Sequence, residues 1–188
     1  MREGKLFIIS GPSGTGKGTI CKRLVAMDPD IILSISVTTR RPRESEAHGR
    51  EYFFITREEY MRLLSGGGLL EHASVYGETL YGTPKEPVEE WLSQGRDVIL
   101  EIDVQGAFQV RRNYPACILI FVLPPSMEEL KARIIGRGSE TEETLIARLG
   151  EAEKEIALAD QYDYLVVNED LDEAVDRVYR IITEERTK

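Results

Sequence analysis

The sequence predicts an α/β fold, a parallel β-sheet flanked by helices, interrupted by an inserted mixed subdomain with its own strands and helices. Three observations predict it. Short continuous apolar runs, the pattern of strands buried on both faces, recur at Leu6-Phe7-Ile8-Ile9, Val98-Ile99-Leu100, Ile118 to Leu123 and Leu165-Val166-Val167. Helical stripes alternate with these runs in the second half of the chain. From about residue 36 to residue 90 the alternation stops, and shorter extended pieces, turn residues and Gly66-Gly67-Gly68 replace it. The 188 residues, 41% hydrophobic and 30% charged, suit one compact domain with enough apolar side chains for a core.

Each element has a local reason. The first apolar run closes on Ser10-Gly11-Pro12, a strand entering a loop, and a helix follows the glycine-rich segment. Alternation over Glu51-Tyr52-Phe53-Phe54-Ile55 predicts an antiparallel strand of the insert. Thr56 and Glu59 then have capping-box spacing for a helix. Leu69 to Tyr76 reads as extended and ends in Gly77-Glu78-Thr79-Leu80-Tyr81-Gly82-Thr83-Pro84. Ser126 and Glu129 repeat the capping-box spacing before Leu130 and Ile134. Leu145, Leu149, Ala152, Ile156 and Ala159 recur at helical spacing on a return helix that Arg148 opens. Asp170 caps a last helix striped by Leu171, Ala174, Val175, Val178, Ile181 and Ile182. This places the core in residues 1–35 and 96–188 and the insert in 36–90.

Charge and cysteine usage exclude several classes. A formal net charge of −9 leaves no basic footprint for nucleic acid, so any anion must be met by local arginine clusters. Cys21 and Cys117 lack metal-ligand spacing and sit among apolar neighbours, which predicts reduced, buried thiols. Met1-Arg2-Glu3-Gly4-Lys5 leads straight into a strand rather than a signal peptide. The apolar run Ala116 to Leu123 is too short to span a bilayer. These features predict a cytoplasmic protein with no membrane segment, and nothing in them points to a protein partner.

Gly11-Pro12-Ser13-Gly14-Thr15-Gly16-Lys17 fits the P-loop pattern in the right context, after a strand and before a helix, which makes the sheet P-loop NTPase-type. Glycines let backbone N–H groups turn inward around phosphate oxygens. The helix N-terminus adds partial positive charge, and Lys17 reaches toward the terminal phosphates. One departure concerns the metal. Gly18 stands where a P-loop usually supplies a magnesium-touching hydroxyl, with Thr19 next. Such an ending resembles nucleoside monophosphate kinases, where Mg2+ is held mainly by substrate phosphates and water; no direct protein ligand is expected, since magnesium dehydrates reluctantly.

A P-loop alone leaves GTPases, ATPases and small-molecule kinases open. A GTPase needs a guanine-reading Asn-Lys-x-Asp segment, and neither Asn113 nor Asn168 is followed by lysine. Ser34-Ile35-Ser36-Val37-Thr38-Thr39-Arg40-Arg41-Pro42-Arg43 closely resembles the monophosphate-binding segment of guanylate kinases. Glu51-Tyr52-Phe53-Phe54, Leu70-Glu71-His72-Ala73, Tyr81-Gly82-Thr83-Pro84, Glu101 to Gly106 and Gly136-Arg137-Gly138-Ser139-Glu140-Thr141 also match in order. The likeness runs from Leu6 to the last helix. The stretch 77–81 departs from it by one extra residue.

The resemblance implies ATP-dependent phosphorylation of GMP to GDP, with dGMP as a further acceptor, on a core sheet with a GMP-binding insert and a short helical lid at about 133–148. It implies ATP contacts by Gly11, Pro12, Ser13, Gly14, Thr15, Gly16, Lys17, Gly18, Thr19 and Arg133, with Asn168 serving adenine or loop packing. Arg40, Arg43, Tyr52 and Tyr81 match the residues that grip the GMP phosphate, and a guanidinium fork suits that task. Arg41, between them, is expected to face solvent. Glu71 matches the guanine-reading carboxylate, which accepts from N1–H and the 2-amino group that adenine lacks. Ser36 and Thr83 match hydroxyls near guanine O6. Asp103 is expected at the base or in the metal's water shell, with Glu101 on the same face. Lys17, Arg137 and Arg148 are implied at the transition state, Arg133 and Arg137 sharing a helical face. His48 and His72 lack any partner pattern for metal or nucleophilic chemistry.

Two other readings compete. A monophosphate kinase for another base conflicts with Glu71 and Thr83. A peptide-binding scaffold domain of guanylate-kinase type would carry a degraded P-loop, and here Lys17 and its glycines are intact.

Overall fold

The computed structural model describes residues 2–75, 79–136 and 141–188. The chain opens with β1 (Leu6–Ser10), the phosphate-loop segment, α1 (Lys17–Met27) and β2 (Ile31–Leu33). The insert follows as β3 (Val37–Thr38), β4 (Phe53–Phe54), α2 (Arg57–Ser65), β5 (Leu69–Val75) and β6 (Thr79–Pro84). It returns through α3 (Lys85–Ser93) to β7 (Asp97–Glu101), α4 (Val104–Asn113), β8 (Ile118–Leu123) and α5 (Met127–Ile135). Then come α6 (Glu142–Ile156), β9 (Tyr164–Val167) and α7 (Leu171–Glu185).

The five core strands pair in the order β2-β7-β1-β8-β9, all parallel. Side chains alternate across β1. Phe7 and Ile9 point to one face, where Ile20 and Leu24 of α1 and Val175, Val178 and Ile182 of α7 cover them. Leu6 and Ile8 point to the other, against Val88 and Leu92 of α3 and Val104, Ala107 and Val110 of α4. Both cysteines are buried and free, as their neighbours predict. No described helix is long and apolar enough to cross a membrane.

The second sheet is ordered β4-β3-β6-β5 and is mixed: β3 runs parallel to β4 and antiparallel to β6. The antiparallel strand expected over 51–55 contracts to Phe53–Phe54 and pairs in parallel, because Phe53 bonds the carbonyl of Ser36 and Ile55 that of Thr38. The capping box at Thr56 and Glu59 is formed in full. Ser126 and Asp170 also cap as expected.

The return helix begins earlier than expected. Thr141 accepts from the Thr144 amide, and Glu142 and Glu143 fill the first turn where the helix dipole favours them, so Arg148 lies mid-helix in α6. Before it, α5 ends at Ile135 with Gly136 as its cap. Arg137, and with it the expected face shared with Arg133, lies outside the described residues. So do Gly77 and Glu78 of the longer stretch 77–81.

One ion network ties the two ends of the chain together under the sheet. Asp97, fully buried at the start of β7, accepts from both Arg2 amino groups at 2.8 and 2.9 Å, from the Lys5 amide at 2.9 Å and from Arg186. Arg186 also bridges to Asp28 at 2.7 Å. Burial alone pushes Asp97 up, but the bonds from Arg2, Lys5 and Arg186 outweigh it and hold the carboxyl below the usual range. A depressed folded value means the contribution is present above the ordinary carboxylate pKa and is lost as pH falls through the folded value. We expect Asp97→Ala to lower stability by about 3–5 kcal/mol, since it strands buried donors and charge. Urea unfolding at pH 7 and at falling pH reads both effects, and the variant should lose less stability on acidification than the wild type.

Candidate functional site

The phosphate loop joins β1 to α1 through backbone that only glycine takes easily. Gly16, the N-cap of α1, sits at φ 91°, and its α-hydrogen faces Asn168, whose amide nitrogen would lie 2.5 Å from a β-carbon there. No side chain caps α1, so the amide groups of its first turn point into the loop. The Thr15 hydroxyl donates to the Pro12 carbonyl at 2.9 Å and is fully buried, so it braces the loop from within. Lys17 Nζ donates to the carbonyls of Gly11 and Pro12, which holds the ammonium over the loop. Asn168 Nδ2 donates to the Thr15 carbonyl at 2.7 Å in a buried setting, fixing the loop against the end of β9. This favours loop packing as its structural task.

The resulting cleft, about 300 Å³, is lined by Ser13, Gly14, Lys17, Gly18, Thr19 and Lys22, with Glu101 opposite. A second cleft of about 400 Å³ continues past Gly14, Gly16 and Thr19 to Arg133, Gly136 and Asn168. Arg133 stands there paired with Glu129 at 3.1 Å. Arg148 is exposed on α6.

On the far side of Glu101 lies a cavity of about 220 Å³ lined by Ser36, Tyr52, Glu71, Tyr81, Ile102 and Asp103 among others. The structure thus gathers five of the expected acceptor residues, drawn from both sheets, around one space. Glu71, in β5, is nearly inaccessible at 5% exposure. Thr83 of the neighbouring β6 donates its hydroxyl to Glu71 Oε1 at 2.7 Å and is itself inaccessible. Thr83 therefore orients the Glu71 carboxylate through this hydrogen bond. Burial pushes the Glu71 carboxyl up; the Thr83 hydrogen bond pulls it down, and the nearby Asp103 charge adds to the rise. Asp103 caps α4 by accepting from the Gly106 amide at 2.7 Å. Gly106 packs closely there: a β-carbon would lie 3.2 Å from Glu71 Oε2, so a larger residue would press on that carboxylate.

The arginine turn is more structured than expected. Arg40 pairs with Glu46 at 2.6 and 2.8 Å, reaches the Tyr81 hydroxyl at 3.3 Å and lies over the Tyr52 ring. Arg43 and Arg41 are exposed. His48 accepts from the Phe54 amide at 3.2 Å and packs edge-on against the Phe53 ring, and His72 is exposed on β5.

Sequence reasoning missed four contributors: Glu46, Gln109, Asn113 and Tyr60. Glu46 carries no periodic signal in its charged turn. Gln109 bonds both backbone groups of His72, at 3.1 and 2.9 Å, and Asn113 bonds the Leu70 carbonyl at 2.9 Å. Their four-residue spacing on α4 was the available sign of a polar helix face. Tyr60, buried, donates to the Tyr81 carbonyl at 2.7 Å.

A metal has few protein donors here. Among the described residues no three His, Cys, Asp or Glu side chains cluster to hold one. A β-carbon at Gly18 would lie 3.3 Å from the Glu101 carboxylate, so this acid faces the position that lacks a hydroxyl. Burial in the cleft raises the Glu101 carboxyl, while Lys17 and Lys22 pull it down. The residues fit a divalent cation held chiefly by phosphates and water.

Comparison with known proteins agrees with this geometry. The family model described as guanylate kinase matches residues 3–185. Guanylate kinase of Clostridium acetobutylicum is 51% identical over 187 residues, covering 100% of this chain and 88% of that protein. The Clostridium tetani guanylate kinase is 52% identical over 188 residues, covering 100% and 89%. The crystal structure of guanylate kinase from Anaplasma phagocytophilum matches with a TM-score of 0.80 at 37% identity, over 100% of this chain and 88% of that one.

Removing the Asn168 anchor should loosen the loop without touching the core. Asn168→Ala leaves the buried Thr15 carbonyl unpaired and should cost about 1–3 kcal/mol in chemical denaturation. An unchanged unfolding midpoint would show that the loop holds its shape without it.

Proposed function

The chain belongs to the guanylate kinase family, enzymes that phosphorylate GMP, and we propose that it transfers the γ-phosphoryl group of ATP to GMP, giving ADP and GDP, with dGMP as a further acceptor. The observation that carries this reading is the single carboxylate wall, Glu101, shared by the phosphate cleft and the Glu71 cavity. Two sites that meet at one side chain can present a donor and an acceptor in line.

The proposed division of the chain is a core of residues 1–35 and 96–188, a GMP-binding insert of 36–90 and a lid at about 133–148. The ATP phosphates are taken by the loop from Gly11 to Thr19, through its backbone amides other than at Pro12, which has no N–H, and by Lys17, with Arg133 and Asn168 on the nucleoside side. GMP is taken by Ser36, Arg40, Arg43, Tyr52, Glu71, Tyr81 and Asp103, with Thr83 acting through Glu71. Mg2+ would be carried by the ATP phosphates and water beside Glu101 and Thr19, and it supplies charge neutralisation.

Phosphoryl transfer needs positioning and charge more than covalent help. The acceptor phosphate is already ionised, so no general base is required. Lys17 leaves its two loop carbonyls for the stronger acceptor that a phosphate offers. Arg137 and Arg148 are assigned to the transferred group from the lid. The negative net charge and the short elements agree with a cytoplasmic enzyme of purine nucleotide metabolism that binds neither nucleic acid nor membrane.

Lys17→Ala should fold normally and lose several orders of magnitude in kcat, because a charge partner of the transition state is gone. A coupled ADP-release assay on the folded variant checks this, and near-normal turnover would sink the assignment.

Glu71→Gln separates base reading from folding. The amide NH2 would face guanine donors, at a cost of roughly 2–5 kcal/mol in GMP kcat/KM. AMP activity should stay low or rise slightly. An acid raised by burial destabilises the fold once ionised, so stability without ligand should hold or rise slightly at pH 7. Assays across AMP, GMP, CMP, UMP and dTMP, with a thermal melt, test both halves.

A further inference from the structure

Arg40 carries five N–H donors, and four of them are engaged within the protein. Nε donates to the Tyr81 hydroxyl at 3.3 Å, Nη1 to the Arg41 carbonyl at 2.9 Å and to Glu46 at 2.6 Å, and Nη2 to Glu46 at 2.8 Å. The two-pronged edge that would suit a phosphate is therefore filled by a carboxylate. Glu46 is held in turn, since its Oε2 accepts from the Arg43 amide at 2.8 Å and its own amide donates to the Arg43 carbonyl at 3.0 Å. Both side chains are well covered, at 18% and 11% exposure, and the guanidinium rests 5.3 Å from the Tyr52 ring centroid and 5.6 Å from that of Phe54. Hydrogen bonds from Arg40 and the Arg43 amide pull the Glu46 carboxyl down to about 2, so it stays charged across any working pH.

We infer that Glu46 is a positioning residue that sets the charge of the acceptor's phosphate subsite: by pairing with Arg40 it offsets one of the two arginine charges that the proposed function assigns to the acceptor phosphate. The inference deepens the function proposed above and rests on it. The geometry gives the pair two effects. It fixes the charged Arg40 as a rigid strut between Tyr52 and Tyr81 within a pair of zero net charge, and it lowers the attraction for any phosphate dianion. That attraction is common to every nucleoside monophosphate and to the product. Lowering it weakens ground-state binding without changing which base is preferred, because the base is read elsewhere, at Glu71.

Glu46→Gln keeps the shape and one acceptor for Arg40 but removes the charge. Inorganic phosphate, titrated into the nucleotide-free protein by calorimetry, should bind roughly three- to tenfold tighter, the scale for removing one charge near an anion in a site of high effective dielectric. KM for GMP and for AMP should fall by similar factors, kcat should not rise, and the GMP-to-AMP ratio of kcat/KM should hold. Glu46→Asp, which keeps the charge, should leave phosphate affinity near the wild-type value. Phosphate affinity unchanged or weakened in Glu46→Gln overturns the inference and leaves Glu46 a structural brace, for which KM would rise. The phosphate titration requires no turnover. Absence of GMP-dependent ADP release in the wild type would therefore count against the proposed function alone, while the titration would still decide the role of Glu46.

Discussion

Two amide side chains on α4 hold the second sheet to the first. Gln109 bonds both backbone groups of His72, and Asn113 bonds the carbonyl of Leu70. They pair the outer edge of β5, the last strand in the order β4-β3-β6-β5, which would otherwise expose unpaired backbone. Glu71 lies between these two anchored residues and so cannot move independently of α4. Asp103 caps that same helix at the end of β7, and Gly106 lets its first turn approach the Glu71 carboxylate. The Glu71 cavity is thus built between the two sheets yet fixed by side-chain-to-backbone bonds, whose geometry is stiffer than apolar packing alone would give.

The phosphate side is fixed by other means, with the same logic of backbone held by distant side chains. Asn168, far along the chain, bonds the Thr15 carbonyl, and the parallel pairing of β1 with β7 and β8 brings Glu101 beside the loop. A five-stranded parallel sheet delivers every strand's C-terminal end to one rim, and this is where both clefts open. The Asp97 network lies at the opposite end of β7, where Arg2 and Arg186 close the chain's two termini on a buried carboxylate. One strand therefore carries a structural acid at its start and a cleft acid at its end.

An acidic chain that binds anions must control where its positive charge is used. Arg40 is neutralised by Glu46 and Arg133 is paired with Glu129, while Lys17 and Lys22 face Glu101 across the phosphate cleft. Arg40 and Arg133 are consequently placed by carboxylate partners before any ligand arrives. Such pre-placement reduces the ordering that binding must impose.

The sequence by itself determined the parallel core, its buried strands, the helix caps at Thr56, Ser126 and Asp170 and the phosphate loop, since these are local patterns whose physics is complete within a few residues. It also named five of the residues that line the Glu71 cavity, through linked motifs resembling one family. Only the tertiary structure decided how those residues share their bonds. Thr83 turned out to donate to Glu71, Arg40 to be engaged by Glu46, and Arg148 to lie within a helix that Thr141 starts. A side chain's remaining hydrogen-bonding capacity depends on neighbours from other elements. No periodicity or spacing along the chain reports which donors those neighbours have already taken.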